Sequence, residues 1–260
     1  MAKKLLARLG ALFWRYYSVF LVLIVWELVS RFGVVRPFLL PAFSTVVGRT
    51  WELFLHEDLL FHTSTTLFRM FAGLSAAVVV GVPLGIWMAR FRPARDFFEP
   101  LIGLTFPIPK VGIYPAIIIL LGMAHASKIS WVFIDSFFPI VMATYHGAQH
   151  VDTRLIWSAR GMGTSEGKIL RKVILPATLP SILTGLRLGI IVALIVVFLS
   201  EMIAGGDGLG WIMMHAARLF HSVDMFVAIV LISVLGFIID RLFLIARRQL
   251  LRWHAEADLG

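Results

Sequence analysis

The sequence predicts an all-α, polytopic membrane protein, with six transmembrane helices forming a single domain over residues 1–260. Three observations carry that expectation. Of the 260 residues, 59% are hydrophobic and 15% charged, against roughly 25% charged in an average soluble domain. The apolar residues fall in runs close to the roughly 20 residues that cross a bilayer as a helix. The 24 Lys and Arg residues sit in short clusters between those runs. The net charge of +9 therefore reads as membrane topology first, and not as a nucleic-acid surface. The chain has no cysteine, which excludes disulfides and Cys-based metal sites.

The first span is expected from about Phe13 to Ser30. It follows Lys3, Lys4 and Arg8 as a signal peptide would, but no small-residue cleavage site comes after it, so it reads as a retained span. Leu40–Val46 is a turn that opens an amphipathic stretch, Val46–Leu55. That stretch fits a helix on the membrane surface and a docking surface equally well. Span two runs from about Leu67 to Ala89, with Gly73, Gly81 and Gly85 for close helix approach and Pro83 for a kink. Span three, about Leu101–Leu121, is interrupted by Pro107, Pro109 and Pro115. Span four, about Ile129–Ala143, carries Asp135 and Pro139. Spans five and six are expected at about Ile182–Ile203 and Met225–Ala246.

Basic residues in the short segments set the orientation. One side holds sixteen, including Arg90, Arg92, Arg95, Arg154, Arg160, Lys168, Arg171, Lys172, Arg247 and Arg248, and the other holds five: Arg31, Arg36, Arg49, Lys128 and Arg218. The basic side is expected in the cytoplasm. Six spans then place both termini there, together with the long polar segment 145–180 between spans four and five.

That segment is patterned. Asp152 suits a helix N-cap before Thr153–Arg160. Val151, Leu155, Ala159 and Met162 recur at helical spacing as one apolar stripe. Gly161 and Gly163 are expected to end the helix. Ser165 is expected to cap a second helix, Glu166–Leu175, which Pro176 and Pro180 stop before span five. Spacing alone leaves a second reading open, a membrane-facing amphipathic loop that is basic for topology only.

Three likenesses fail as sites. Gly161–Lys168 has the form G-x5-G-K, one residue too long for a phosphate loop, with Ile169 where Ser or Thr would hold magnesium. Gly205–Gly210 is not G-x-G-x-x-G and follows an apolar span. His146 and His150 have helical ligand spacing but lack a third ligand.

The same segment resembles the EAA loop of ABC importer permeases, E-A-A-x3-G-x9-I-x-L-P. The match falls on Trp157-Ser158-Ala159, Gly163 and Val173-Ile174-Leu175-Pro176, with Trp157, Ser158 and Val173 departing in type. Pro107-Ile108-Pro109, Leu183-Thr184-Gly185-Leu186-Arg187, Ser200-Glu201-Met202-Ile203-Ala204, Gly208-Leu209-Gly210 and Arg252-Trp253-His254 are similar to the nitrate/sulfonate/taurine group of these permeases. The resemblance covers about Leu40 to the C-terminus and implies a type I ABC importer permease-like fold in a bacterial plasma (inner) membrane. It implies that Thr153–Gly161 is a coupling helix, with Asp152, Leu155, Trp157, Ser158, Ala159, Gly161, Gly163, Leu175 and Pro176 facing or shaping the ATPase contact. It implies a homodimer, a separate ATPase dimer and a periplasmic or lipid-anchored substrate-binding protein. The chain then holds no cofactor of its own, because ATP and Mg are on the ATPase. The implied cargo is a small oxyanion: sulfonate, taurine, nitrate or bicarbonate.

Ionisable residues inside spans are functional candidates, because isolated burial costs several kcal/mol. Asp135 and Glu201 either pair within the bundle or line a pathway. Lys110, beside Pro107 and Pro109, and Arg187 suit an anionic solute better. Two readings compete with the importer. An ion-coupled carrier or small channel would use Asp135 and Glu201. A membrane-embedded enzyme lacks a serine–histidine arrangement, a metal cluster or paired carboxylates on one helix.

Overall fold

The computed structural model describes residues 2–56 and 58–252, with side chains from Tyr17 onward except His56. Trp253 and His254 of the C-terminal resemblance, and the side chains of Lys3, Lys4, Arg8 and Phe13, lie outside the described residues. The chain divides into two compact units, Met1–Leu60 with Ile212–Leu231, and Phe61–Trp211 with Ile232–Gly260.

In the first unit, α1 (Ala2–Arg31) and α2 (Phe43–His56) are joined by a turn that α1 itself holds. The Trp26 indole donates to the Pro41 carbonyl at 2.9 Å and the Ser30 hydroxyl to that of Leu40 at 2.8 Å. Glu27 accepts from the Ser44 amide at 3.0 Å and the Ser44 hydroxyl at 2.8 Å. A carboxylate there satisfies an orphan amide and sits favourably at the positive end of α2. Glu27 thus pairs with the first turn of the next helix and, at 2.5 Å, with Arg31 one turn further along α1. Helix α2 buries Val46 and Leu53 and exposes Val47, Trp51, Phe54 and Leu55.

The second unit is built on three long helices, α3 (Leu59–Arg90), α6 (His125–Gln149) and α9 (Leu175–Ala204). The glycines of span two do what small residues are expected to do in a membrane bundle. A Cβ at Gly85 would lie 2.7 Å from the Val141 carbonyl oxygen, and one at Gly73 2.7 Å from Val132, so α3 rides directly on α6. Helix α9 uses the same device against α6, with Gly185 on Ala143 and the Pro139 carbonyl and Gly189 on Ile140. Met70, Leu74, Trp131, Val132, Ile140, Ile190 and Val197 fill the resulting core.

The third predicted span is not one helix. It runs as α4 (Arg92–Thr105), a 3-10 turn (Lys110–Gly112) and α5 (Tyr114–Leu121), bent by 80°. Pro107 and Pro109 account for the break, since neither can donate to a helical ladder. Tyr114 at the start of α5 stacks on Trp131 at 4.1 Å and anchors the far side of the bend.

Beyond α6 come α7 (Thr153–Gly161), α8 (Glu166–Ile169), a π-helical turn (Leu170–Ile174), α9, α10 (Leu209–Arg218) and α11 (Ser222–Leu250). Among the described residues four helical stretches are long and apolar enough to cross a membrane, and the bent pair makes a fifth if it is one span. A count of six is not reached: the start of α1 falls outside the described side chains, and the third span is broken.

The sequence expectation that Pro176 and Pro180 stop the second helix of segment 145–180 is corrected. Glu166–Ala204 is one helical stretch of 39 residues. The π turn absorbs Pro176: the Leu175 amide donates to the Leu170 carbonyl five residues back. The wider winding accommodates a ring that would collide with an ordinary α-helical carbonyl. Ser165 stands at the expected N-cap position, but its side chain makes no capping hydrogen bond.

Candidate functional site

Two regions concentrate the candidate residues. The first is α7 and its flanks. Asp152 caps the helix by accepting from the Arg154 amide at 2.8 Å. The other end closes as a Schellman motif: Gly163 takes φ +74°, its amide donates to the Arg160 carbonyl at 2.9 Å, and the Thr164 amide donates to the Ala159 carbonyl at 3.0 Å. The Arg160 guanidinium then meets the Glu166 carboxylate at 2.7 Å across the turn. Gly161 is the last helical residue and needs no unusual backbone.

Beneath α7 lies a small core of Val151, Ile156, Ala159, Ile169 and Ile174. The predicted stripe therefore splits. Val151 and Ala159 face inward, whereas Leu155 and Met162 face out, 52% and 78% exposed. Trp157 is also exposed, at 64%. Leu175 is partly exposed at the start of α9. The result is a buttressed helix that buries Ile156 and Ala159 and leaves Leu155, Trp157 and Met162 outside the segment's own core. Beside it a cleft of about 560 Å³ is lined by His146, Gly147, His150, Asp152, Ser181 and Thr184. Among the described residues, no group of three or more His, Cys, Asp or Glu side chains is placed to hold a metal ion.

The second region is a set of charged side chains within the bundle. Lys110 Nζ lies 3.3 Å from Asp135 and 4.6 Å from the centre of the Phe138 ring. Asp135 also accepts from the Trp131 indole at 3.1 Å. Arg187 holds Asp240 through two nitrogens, at 2.8 and 3.2 Å. Glu201 is fully buried and accepts from Arg69 at 2.8 Å and the Gly210 amide at 3.1 Å. All four charged candidates are thus paired in this structure. Asp207, in the loop after α9, joins the last group through Arg69 and, at 3.5 Å, Lys128. Burial pushes its carboxyl upward, but the Arg69 hydrogen bond and charge, with Lys128 and His125, outweigh this and hold it below its ordinary value.

Residues 81–252 match the family model of the binding-protein-dependent transport system inner membrane component. The chain belongs to that family of ABC transporter permeases. A probable ABC transporter permease protein of Brucella abortus (strain 2308) is 34% identical over 89% of this chain and 92% of its own length. The taurine transport system permease protein TauC of Escherichia coli (strain K12) is 30% identical over 91% of this chain and 88% of its own. An inward-facing structure of the MetNI methionine ABC transporter shares the fold, with a TM-score of 0.62 at 21% identity over 74% of this chain and 95% of that one.

Within this permease, several important residues escaped the sequence reading. Ile156 was passed over because the stripes 151/155/159 and 156/159 are both apolar, and spacing cannot choose between them. Arg69, within α3, is another. A usable signal existed: a buried acid needs a cation at its own depth, and Arg69 and Lys128 both lie at the end of the bundle where Glu201 sits. The same demand applied to Asp240, within span six, and Arg187 meets it from 53 residues away.

Proposed function

We propose that this permease is the membrane half of an ATP-driven importer for a small organosulfonate of the taurine type, working as a homodimer with a separate ATPase pair and a soluble or lipid-anchored binding protein. The observation that carries the proposal is α7. It is capped at both ends, packed on its own core, and presents Leu155, Trp157 and Met162 outward. A loop that served topology alone would not need such a scaffold. ATP hydrolysis belongs to the partner: no phosphate loop is present in the sequence, and the exposed helix is a handle by which a partner's motion reaches α9. Motion of the handle would pass into a continuous helical stretch from Glu166 to Ala204.

In this reading α7 and both termini face the cytoplasm and the α9–α10 loop faces outward, as the distribution of Lys and Arg favours. Lys110 and Asp135 border the pathway. Unwound backbone at membrane depth is tolerated only against protein or water, and Pro107, Ile108, Pro109 and Val111 are exposed on this protomer. Lys110 offers a cation to a passing sulfonate, and Asp135 holds that cation between passages. The deciding experiment is uptake of labelled taurine by vesicles containing the permease, its ATPase and its binding protein. Uptake that requires ATP and the binding protein is the expected result. Uptake driven by an ion gradient without ATP would establish an ion-coupled carrier instead. Nitrate and bicarbonate, run as competitors, test whether the cargo class is sulfonate.

A further inference from the structure

The buried charges at the α9–α10 end have a completeness that the other ion pairs lack. Glu201 is 0% exposed, and Arg69 and Lys128 are 1% exposed each. Two cations and two carboxylates make the group neutral, with Asp207, 26% exposed, the one member that reaches its edge. Arg69 donates to Glu201 at 2.8 Å, to the Asp207 carbonyl at 3.0 Å and to the Asp207 carboxylate. Lys128 donates to the Gly205 carbonyl at 2.7 Å. The Thr66 hydroxyl lies 2.8 Å from Glu201 and accepts from the Leu209 amide at 2.9 Å. The cluster therefore ties α3 (Thr66, Arg69), α6 (Lys128) and α9 (Glu201) to loop 205–210, whose last two residues open α10. Gly208 sits at φ +101° with the Glu201 carboxylate against its Cα, where any Cβ would collide with it. The loop is thus moulded to the acid as well as bonded to it.

We propose that this cluster is a permanent clasp: the ends of α3, α6 and α9 and the loop 205–210 move as one body throughout the transport cycle, and the solute passes beside that body and never through it. The physical ground is the cost of opening. Withdrawing Arg69 strands the fully buried Glu201 carboxylate in a low-dielectric interior, and withdrawing Asp207 removes the acid that Arg69 and Lys128 share. A gate needs two arrangements of comparable free energy, and a neutral cluster with its donors and acceptors already satisfied offers only one. The proposal rests on the permease reading for the existence of a transport cycle.

The test is hydrogen exchange on the complete wild-type complex, nucleotide-free and with ATP trapped by a hydrolysis-deficient ATPase. Amides of the 205–210 peptide are expected to be equally slow in both states. Loss of protection in either state would overturn the clasp. A second measurement uses Glu201→Gln, which leaves Arg69 and Lys128 facing one carboxylate. Faster exchange over 205–210 and loss of uptake are expected, with the ATPase still co-purifying because α7 is untouched. If Glu201→Gln kept both protection and uptake, the charges would not be what holds the loop. A wild-type complex that showed no ATP-driven uptake would instead refute the function reading, whatever its exchange pattern.

Discussion

Gly163 closes α7 onto Arg160: its amide donates to the Arg160 carbonyl at 2.9 Å while its backbone sits at φ +74°. Gly161, two residues earlier, lies in regular helix with open space around it. The two glycines, equivalent in the sequence pattern, therefore respond differently to substitution. Gly163→Ala forces a Cβ into the left-handed region at a cost of about 1–2 kcal/mol. Gly161→Ala gains up to about 1 kcal/mol of helix propensity. Thermal denaturation of the detergent-solubilised complex and limited proteolysis at segment 145–180 should show a lower midpoint and faster cleavage for Gly163→Ala only. Equal behaviour of the two variants would remove the Schellman turn from the account.

Leu155 and Ala159 lie one helical turn apart but differ in burial, 52% and 6% exposed, and arginine at each separates docking from folding. Leu155→Arg places a charge on the exposed face. It should leave helix content and melting unchanged while the ATPase no longer co-purifies. Ala159→Arg puts a long cation into the core of Val151, Ile156 and Ile174 and should destabilise the protein itself, by several kcal/mol if the charge stays buried. Trp157→Ala belongs with Leu155→Arg and should weaken ATPase binding alone, because Trp157 is 64% exposed. Normal coupling in Leu155→Arg and Trp157→Ala together would exclude α7 as the handle.

The parts of this fold that were legible in the sequence are those fixed by nearest neighbours on one element. Asp152 and the glycines at 73, 81 and 85 announce themselves because a cap and a small-residue face need only local spacing. The continuation of α9 through Pro176 was hidden, because proline ordinarily ends a helix and nothing in the residue string marks a π turn. The bend at Pro107 was visible as an interruption, but its size depends on Tyr114 stacking on Trp131 from another helix. Pairing was the least legible layer. Arg69 with Glu201 and Arg187 with Asp240 are contacts between distant helices, and sequence without alignment supplies only the electrostatic demand for a partner.

Gly85 offers a direct test of the α3–α6 contact. A Cβ there would meet the Val141 carbonyl oxygen at 2.7 Å and Thr144 at 2.8 Å. Backbone cannot yield as a flexible side chain can. Gly85→Val should therefore cost about 1–3 kcal/mol or more, as overpacking does, seen as a lower melting temperature and reduced yield. Gly103→Ala, where a Cβ meets nothing within 4 Å, is the control and should be neutral. A neutral Gly85→Val would mean that α3 and α6 are not in contact at this position.

Asp207 gives the second unit an acid-sensitive element outside the spans. Its carboxyl is held below its ordinary value in the folded protein, where Arg69 and Lys128 outweigh the effect of burial. A depressed carboxyl contributes its full stability above the ordinary carboxylate range and loses it as pH falls through the lowered value. Melting temperature should therefore fall on acidification below that range, and the fall should be shallower in Asp207→Asn, which has no proton to take up. Parallel pH profiles for wild type and Asp207→Asn would show that the clasp does not depend on this charge.

Lys110 and Asp135 separate pairing from transport. They lie 3.3 Å apart beside the unwound backbone of the bend, and each is largely but not fully shielded. If the pair were structural alone, Lys110→Ala would leave an uncompensated acid and Asp135→Asn an uncompensated cation, and the double variant would restore function by removing both charges. If Lys110 meets the sulfonate, Lys110→Ala should lower uptake at least about tenfold, the loss of roughly 1.4 kcal/mol of charged contact. The double variant should then stay as impaired as Lys110→Ala. Asp135→Asn should retain uptake with a raised apparent affinity, because the cation is released from its internal partner. Vesicle uptake of labelled taurine at several concentrations, with ATPase turnover followed in parallel, distinguishes these patterns. Unchanged uptake in Lys110→Ala would remove Lys110 from the pathway, and rescue in the double variant would assign the pair to the scaffold.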